Sequence, residues 1–181
     1  MQKLMIVLLI SMLCYACEIN VNTSKDSGGI DIKPVSTLKE QNGTEIRNNI
    51  ELKTIGVKVK RAYLVLGEGE RAPDDNVMKV GQKINLVFDI EDGWTVENGK
   101  SYIGGTQKVV TDDGSVVLHV EDVFAAYTNA GFPEKACKSI SLDVTITKAN
   151  PKINYYTTTF RVWDKKGTGE ISGSYKFYIK Q

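Results

Sequence analysis

The sequence predicts an all-β domain: an antiparallel two-sheet sandwich of about seven or eight strands with one short helix. Two observations favour this fold. From residue 50 onward, apolar residues recur at every second position in short segments, which is the period of a half-buried strand. Turn residues separate these segments at short intervals, as is typical of antiparallel strands joined by tight connections.

The predicted strands follow one another along the last two thirds of the chain. Asp113-Gly114 supplies a hairpin turn, because glycine tolerates the positive φ that tight hairpins need. The glycine-containing segment 165–169 supplies a second turn, between the last two strands. The apolar alternation places the strands at 57–66, 84–90, 116–120, 140–146, 156–162 and 175–179.

One segment, 121–131, is predicted to be helical. It begins with Glu121 and Asp122 and ends at Gly131, and acidic residues favour a helix N-terminus while glycine favours a C-terminal cap. Val123, Phe124 and Tyr127 would share one face. We expect two or three helical turns that close one end of the sandwich.

The last two strand segments carry a resemblance to a known fold. The stretches 162–167 and 173–179, with aromatic residues around a glycine-rich turn, resemble the closing hairpin of bacterial immunoglobulin-like domains. This resemblance implies an immunoglobulin-like β-sandwich over residues 50–181.

The N-terminus has the pattern of a bacterial export signal. Lys3 precedes an apolar stretch at residues 4–13, which is too short to span a bilayer. The motif Leu13-Cys14-Tyr15-Ala16-Cys17 resembles the lipobox of bacterial lipoproteins. That resemblance implies a signal peptide at residues 1–16, lipidation of Cys17 and a place in the bacterial cell envelope, with the outer membrane expected. The alternative is an ordinary secretory signal that is cleaved before an unmodified Cys17.

Residues 17–49 are predicted to be the lipidated cysteine and a flexible tether. This stretch is polar and its apolar residues are isolated, so it has little surface to bury in exchange for its ordering entropy. Cys137 is the remaining cysteine once the leader has left and Cys17 is modified. We expect it to be a buried or unreactive thiol.

The charge balance argues against nucleic-acid binding, and the motif search argues against catalysis. Lys plus Arg is 23 and Asp plus Glu is 22, so no basic field attracts nucleic acid. The single histidine, His119, is expected on the solvent side of a strand, and no hydrolase or phosphate-binding motif is present. We predict a non-enzyme without a cofactor. Acidic clusters at 89–92, 112–113 and 121–122 leave open a calcium site, although their spacing is not that of a calcium loop.

Aromatic residues supply the candidate binding surface. Alternation along the last two strands directs Phe160 and Phe177 inward and directs other aromatic residues outward beside cations. Outward aromatic rings next to cations can stack on sugars or anchor a protein partner; the alternative is that another segment covers them. The outward set comprises Tyr155, Arg161, Trp163 and Tyr178. Trp94 and Tyr102 are candidates for a second, loop-borne aromatic site, the alternative being that these loop side chains fold back over the core.

These observations together predict a lipid-anchored, non-catalytic binding or assembly module of a bacterial envelope that contacts a protein partner. Two alternatives remain open at this stage. One is a carbohydrate-binding surface lipoprotein, and the other is a structural subunit of a pilus or adhesin.

Overall fold

The computed structural model describes residues 38–67, 69–148 and 150–180. These residues form an all-β fold with two short 3₁₀ helices, Ala125–Tyr127 and Glu134–Lys138. The fourteen strands are β1 Lys39–Gln41, β2 Thr44–Ile46, β3 Glu51–Ile55, β4 Lys58–Leu66, β5 Glu70–Arg71, β6 Val77–Lys79, β7 Lys83–Asp92, β8 Lys100–Ser101, β9 Ile103–Thr111, β10 Val116–Val120, β11 Phe132–Pro133, β12 Ser139–Thr145, β13 Tyr156–Asp164 and β14 Glu170–Lys180.

The strands assemble into two six-stranded sheets and one small two-stranded sheet. The first sheet has the order β1-β2-β4-β7-β12, with β5 also paired to β4. The second sheet has the order β10-β9-β13-β14-β3, with β6 also paired to β14. Most neighbours are antiparallel, but β2 runs parallel to β4 and β6 runs parallel to β14. The all-β expectation is therefore confirmed, with mixed pairing in both large sheets.

Both large sheets contribute side chains to one hydrophobic core. On β7 of the first sheet Ile84, Asn85 and Leu86 are all buried and burial then alternates up to Ile90, and on β12 every second residue is buried. On the second sheet, Phe160 and Phe177 are buried as the alternation predicts. The rings of Phe88 and Phe160, one from each sheet, lie 5.4 Å apart between centroids. The inward faces expected for these strands are confirmed.

The folded domain begins before residue 50, so the expected boundary there is wrong. Residues 39–46 form the β1–β2 hairpin, and Ile46 and Ile50 are buried in the core. The hydroxyl of Thr44 donates a hydrogen bond of 2.7 Å to the Val59 carbonyl. Isolated apolar residues suffice here because only every second side chain of a strand points to the core. A short edge strand therefore needs few apolar residues, provided that it pairs with a neighbouring strand. The rest of the expected tether, including Cys17, lies outside the described residues.

The segment 121–131 contains a single 3₁₀ turn, not the two or three helical turns expected. Asp122 accepts hydrogen bonds from the backbone N–H groups of Gly105 and Phe124 at 3.1 and 2.9 Å. These bonds tie the start of the segment to β9, so its acidic residue caps a turn there. Val123 and Phe124 still pack against the core. Among the described residues, no helix is both long and apolar enough to cross a membrane.

Strand β9 is central to the second sheet, although its sequence carries little strand signal. It pairs with β10 on one side and with β13 on the other. Gly104 and Gly105 lie near its start, and glycine is unfavourable in strand interiors unless another group must approach closely. An added Cβ on Gly104 would overlap the indole ring of Trp163, and one on Gly105 would lie 2.8 Å from Phe124. Both glycines are therefore required by packing.

Candidate binding surface

The expected outward residues of β13 and β14 lie on one face of the second sheet. Register pairs Trp163 with Glu170 and continues through eight pairs to Tyr156 and Phe177. Residues of alternate pairs point away from the core, together with their neighbours on β9 and β3. We call this the second-sheet face; it comprises Glu51, Lys53, Ile55, Thr106, Lys108, Val110, Tyr155, Thr157, Thr159, Arg161, Trp163, Glu170, Ser172, Ser174, Lys176 and Tyr178.

One end of the second-sheet face carries a tyrosine pair and a lysine. The rings of Tyr155 and Tyr178 meet edge to face, with centroids 6.4 Å apart. The Lys176 ammonium lies 4.7 Å from the centroid of the Tyr155 ring, within the range of a cation–π interaction. Tyr178 is 40% exposed. This end offers aromatic surface and positive charge to the solvent.

The other end of the face carries a tryptophan, an arginine and a glutamate. The guanidinium of Arg161 lies 5.0 Å from the centroid of the Trp163 ring and donates to the Glu170 carboxylate at 2.9 Å. This hydrogen bond from Arg161 outweighs desolvation and holds the pKa of Glu170 below its ordinary value. The indole is half-buried because it lies against Gly104. Contacts with Gly104 and Arg161 thus hold the Trp163 indole in place. The Arg161 side chain is exposed to solvent.

The middle of the face is polar. Eight residues of extended chain separate Tyr155 from Trp163, a distance of about 26 Å. Between them, Thr157 and Thr159 make no side-chain hydrogen bond in the described part of the protein, and Thr159 is exposed. Ser174 donates to Glu51 at 3.0 Å. Hydroxyl groups therefore predominate between the two aromatic ends, with the half-buried Val110 of β9 beside Thr157.

Trp94 does not belong to an exposed aromatic site, and that part of the expectation is wrong. It is 8% exposed and is part of the hydrophobic core. Gly93 has a φ of +116°, and the indole packs against Gly169, where an added Cβ would lie 3.2 Å from Cε3. The loop folds back because burying an indole stabilises the fold more than exposing it.

Tyr102 is half-buried. It does not form an exposed aromatic site with Trp94, which lies in the core. Its ring packs against Gly131, where an added Cβ would lie 3.0 Å from Cε1. The Lys166 ammonium lies 5.4 Å from the ring centroid. The backbone carbonyl of Tyr102 accepts a hydrogen bond of 2.7 Å from the backbone N–H of Lys165. Tyr102 therefore forms a separate cation–aromatic pair beside the loop that joins β13 to β14.

The other candidate chemistry is dispersed in the structure. His119 is exposed, as expected, with Nε2 3.8 Å from Glu121. Cys137 is buried, also as expected, and burial raises the pKa of its thiol. The described residues contain no group of three or more histidine, cysteine or acidic side chains that could hold a metal ion. In the acidic segments, Asp89 pairs with Arg61 and Asp122 pairs with Lys165.

A groove of about 410 Å³ adjoins the tyrosine end of the second-sheet face. It lies where β3 and β6 flank β14, so its wall is continuous with Tyr178 and Lys176. Its lining has charges of both signs, from Lys39, Glu51 and Asp75 among others. The groove widens the accessible surface at that end.

Sequence reasoning missed the members of the face that β9 and β3 contribute. Lys108 and Thr106 lie on β9, which was not predicted as a strand, so alternation could not orient them. Lys53 lies on β3, an edge strand whose residues are mostly exposed. Thr106, Gln107 and Lys108 are all polar although Gln107 is buried, so this stretch has no apolar–polar alternation that would have revealed the strand.

Comparisons with known proteins identify no family for this chain. No protein-family model matches it, and no curated protein matches it either. A solved structure described as the C-terminal domain of wzt is similar over 75% of this chain and 80% of that chain, with 11% sequence identity and a TM-score of 0.48. Similarity at this level says nothing about function.

Proposed function

We propose that this protein is a non-catalytic binding module that is held at a bacterial cell envelope by lipid on Cys17 and acts through the second-sheet face. One observation carries the proposal. Two cation–aromatic clusters, one around Tyr155 and the other around Trp163, lie on the same solvent-facing side of two paired strands. Binding residues are positioned precisely when they project from regular strands.

The proposed fold is an immunoglobulin-like sandwich. Two six-stranded sheets that share one core, joined by contacts such as that between Phe88 and Phe160, support a sandwich arrangement. The parallel β2–β4 and β6–β14 pairs add to the antiparallel strands that the resemblance implies.

Anchoring is tested by changing the one residue placed for lipid attachment. Several acyl chains on a single cysteine give stable membrane binding, because each buried methylene adds about 0.8 kcal/mol. Cys17→Ser should therefore release the chain from membranes or leave it unprocessed, as measured by fractionation and intact mass. Ser24→Ala, in the expected tether, is the control and should leave the lipid-dependent mass increase and the membrane retention unchanged. Unaltered mass and membrane retention of Cys17→Ser would refute the anchor.

The binding role is tested by recovering partners from envelopes. A protein of an envelope complex is the partner that the sequence favours. Tagged full-length chain should retain material after mild crosslinking, and Tyr178→Ala together with Arg161→Gln should reduce that retention. Tyr63→Ala is the matched control, since Tyr63 forms a similar pair with Arg61 on the first sheet, 5.6 Å from guanidinium to ring centroid. Equal retention by all variants would refute the second-sheet face as the binding surface.

One observation favours the alternative of a structural pilus or adhesin subunit. Val116 and Val117 are 54% and 47% exposed on β10, an edge strand of the second sheet. Exposed apolar edge strands are templates for pairing with another chain. Assembly through this edge predicts concentration-dependent oligomers that Val117→Lys abolishes. Sedimentation of the wild-type chain as a monomer at all concentrations would exclude it.

A further inference from the structure

The composition of the second-sheet face indicates what kind of ligand it fits. Protein interfaces have apolar cores that are depleted of charge. The middle of this face has the opposite character, because threonine and serine hydroxyls and lysines predominate there and the half-buried Val110 is its one apolar side chain. A sugar chain presents both hydroxyl groups for hydrogen bonds and apolar C–H surfaces for stacking on aromatic rings. Rings at both ends with hydroxyl groups between them therefore match a polysaccharide better than a protein.

The charge of the face adds a second constraint. Its basic residues are Lys53, Lys108, Arg161 and Lys176, and its acidic residues are Glu51 and Glu170. Glu170 is paired with Arg161, whereas the three lysines form no ion pair among the described residues. The face thus has an excess of positive charge, although the whole chain is close to neutral. A ligand with regularly spaced negative groups would complement these lysines.

The three lysines lie on three different strands. Lys53 is on β3, Lys176 on β14 and Lys108 on β9, and these strands flank or include the pair that carries the aromatic rings. Neighbouring strands are about 4.8 Å apart, so the ammonium groups border the hydroxyl-lined strip from both sides. A chain that lies along β13 would pass between them.

We infer that the second-sheet face binds an acidic, carboxylated polysaccharide, laid along β13 from the tyrosine pair to Trp163. The inference rests on the proposed binding function and specifies the ligand of the same surface. Tyr178 and Tyr155 stack on sugar rings at one end, Thr157 and Thr159 donate or accept hydrogen bonds in the middle, and Lys108 and Lys176 pair with the carboxylates.

Two other anionic partners fit the charge but not the shape. An acidic protein segment pairs with the lysines, but its aspartate and glutamate side chains have no flat C–H face to stack on the Tyr155 and Tyr178 rings. An anionic membrane surface calls for apolar side chains that project into the acyl region, whereas the Trp163 indole lies flat against Gly104. Both become outcomes of the test.

The experiment measures binding of the full chain, purified in detergent, to defined polymers. Polygalacturonate and alginate are the carboxylated probes. Methyl-esterified polygalacturonate has the same sugar backbone without the charge, and dextran is a neutral control. Poly-glutamate represents an acidic polypeptide. Phosphatidylglycerol vesicles represent an anionic membrane and are offered to the Cys17→Ser chain without detergent, because lipid on Cys17 would itself insert into any vesicle. We expect the chain to bind at least one carboxylated polysaccharide. Its affinity for the methyl ester, poly-glutamate and dextran should be lower by a factor of about ten or more.

The matched variants separate the face from the rest of the surface. Tyr178→Ala and Lys108→Gln should each weaken binding of the carboxylated probe by about tenfold. Tyr63→Ala and Lys60→Gln change comparable residues on β4 of the first sheet and should leave binding unchanged. Unfolding midpoints of all four variants establish that each is folded.

The outcomes distinguish this inference from the proposed function. The inference is overturned if the chain binds neither carboxylated probe. It is also overturned if the chain binds poly-glutamate or vesicles as tightly as the carboxylated probes. If the face variants still lose envelope partners in that case, the proposed binding role stands with a ligand of another class. If the variants change neither polymer binding nor partner recovery, both the inference and the proposed function are wrong.

Discussion

A buried asparagine pair links the two sheets, and its loss should destabilise the fold more than any exposed substitution. Asn48 and Asn76 are 1% and 3% exposed, and both have a φ of +57°. The Asn76 amide donates to the carbonyls of Asn48 and Lys176 at 2.7 and 2.8 Å. The Asn48 amide donates to Asn76 Oδ1 at 3.0 Å, and its Oδ1 accepts from the Leu64 N–H at 3.0 Å.

The expected cost follows from these bonds. Asn76→Ala leaves the buried bond to the Asn48 carbonyl and the partly buried bond to the Lys176 carbonyl unmade, and each unsatisfied buried group costs about 1–3 kcal/mol. A left-handed backbone costs alanine about another 1 kcal/mol. We therefore expect Asn76→Ala to lower the free energy of unfolding by about 3–5 kcal/mol, a large share of what a domain of this size possesses.

Urea denaturation of the full chain measures this cost, and two variants separate its causes. Asn76→Gly removes the hydrogen bonds but tolerates the positive φ, so it should be about 1 kcal/mol more stable than Asn76→Ala. Asn98→Ala is the matched control, because Asn98 has a φ of +53° in an exposed turn and should lose only the backbone term. A cost for Asn76→Ala that equals that of Asn98→Ala would refute the role of the buried hydrogen bonds.

The remaining predictions concern the two sides of β13, the glycine beneath the tryptophan and the acid response. Phe160→Ala should lower the free energy of unfolding by about 3–5 kcal/mol and the half-buried Trp163→Ala by about 1–2 kcal/mol; the reverse order in denaturation would invert the two faces. Gly104→Ala should displace the Trp163 indole, seen as a red-shifted fluorescence component, and an unchanged spectrum would contradict the packing. Burial alone would raise the pKa of Asp122, but hydrogen bonds from Lys165 and two backbone N–H groups hold it below its ordinary value. Its carboxylate thus stabilises the fold above the unfolded pKa of about 3.9, and that contribution is lost as pH falls through the lower folded pKa. Asp122→Asn should lower the free energy of unfolding by about 1–2 kcal/mol near pH 7 and by little once the pH is below the folded pKa of Asp122. A loss that does not depend on pH in urea titrations would disprove the linkage.

The candidate surface was partly predictable because its central strands are strongly patterned. Tyr155, Arg161, Trp163 and Tyr178 lie on the predicted side of β13 and β14, since the inward residues of both strands are large and apolar. The contribution of Lys108 could not be predicted, because β9 is held by its neighbours and not by its own propensity. Trp94 follows a glycine in a loop, where no local period shows whether a ring folds inward.

The sequence by itself determined the all-β class and the inward faces of β7, β12 and β13. A side-chain period of two is a local property, and one buried face fixes which residues point inward. Only the tertiary structure decided that residues 39–46 pair into the first sheet, that β9 lies between β10 and β13, and that Asn48 and Asn76 meet. Each of these depends on a partner far along the chain, such as Lys176 for Asn76, one hundred residues away. Short edge strands and buried polar pairs gain their stability from such distant partners, so no window of local sequence contains them.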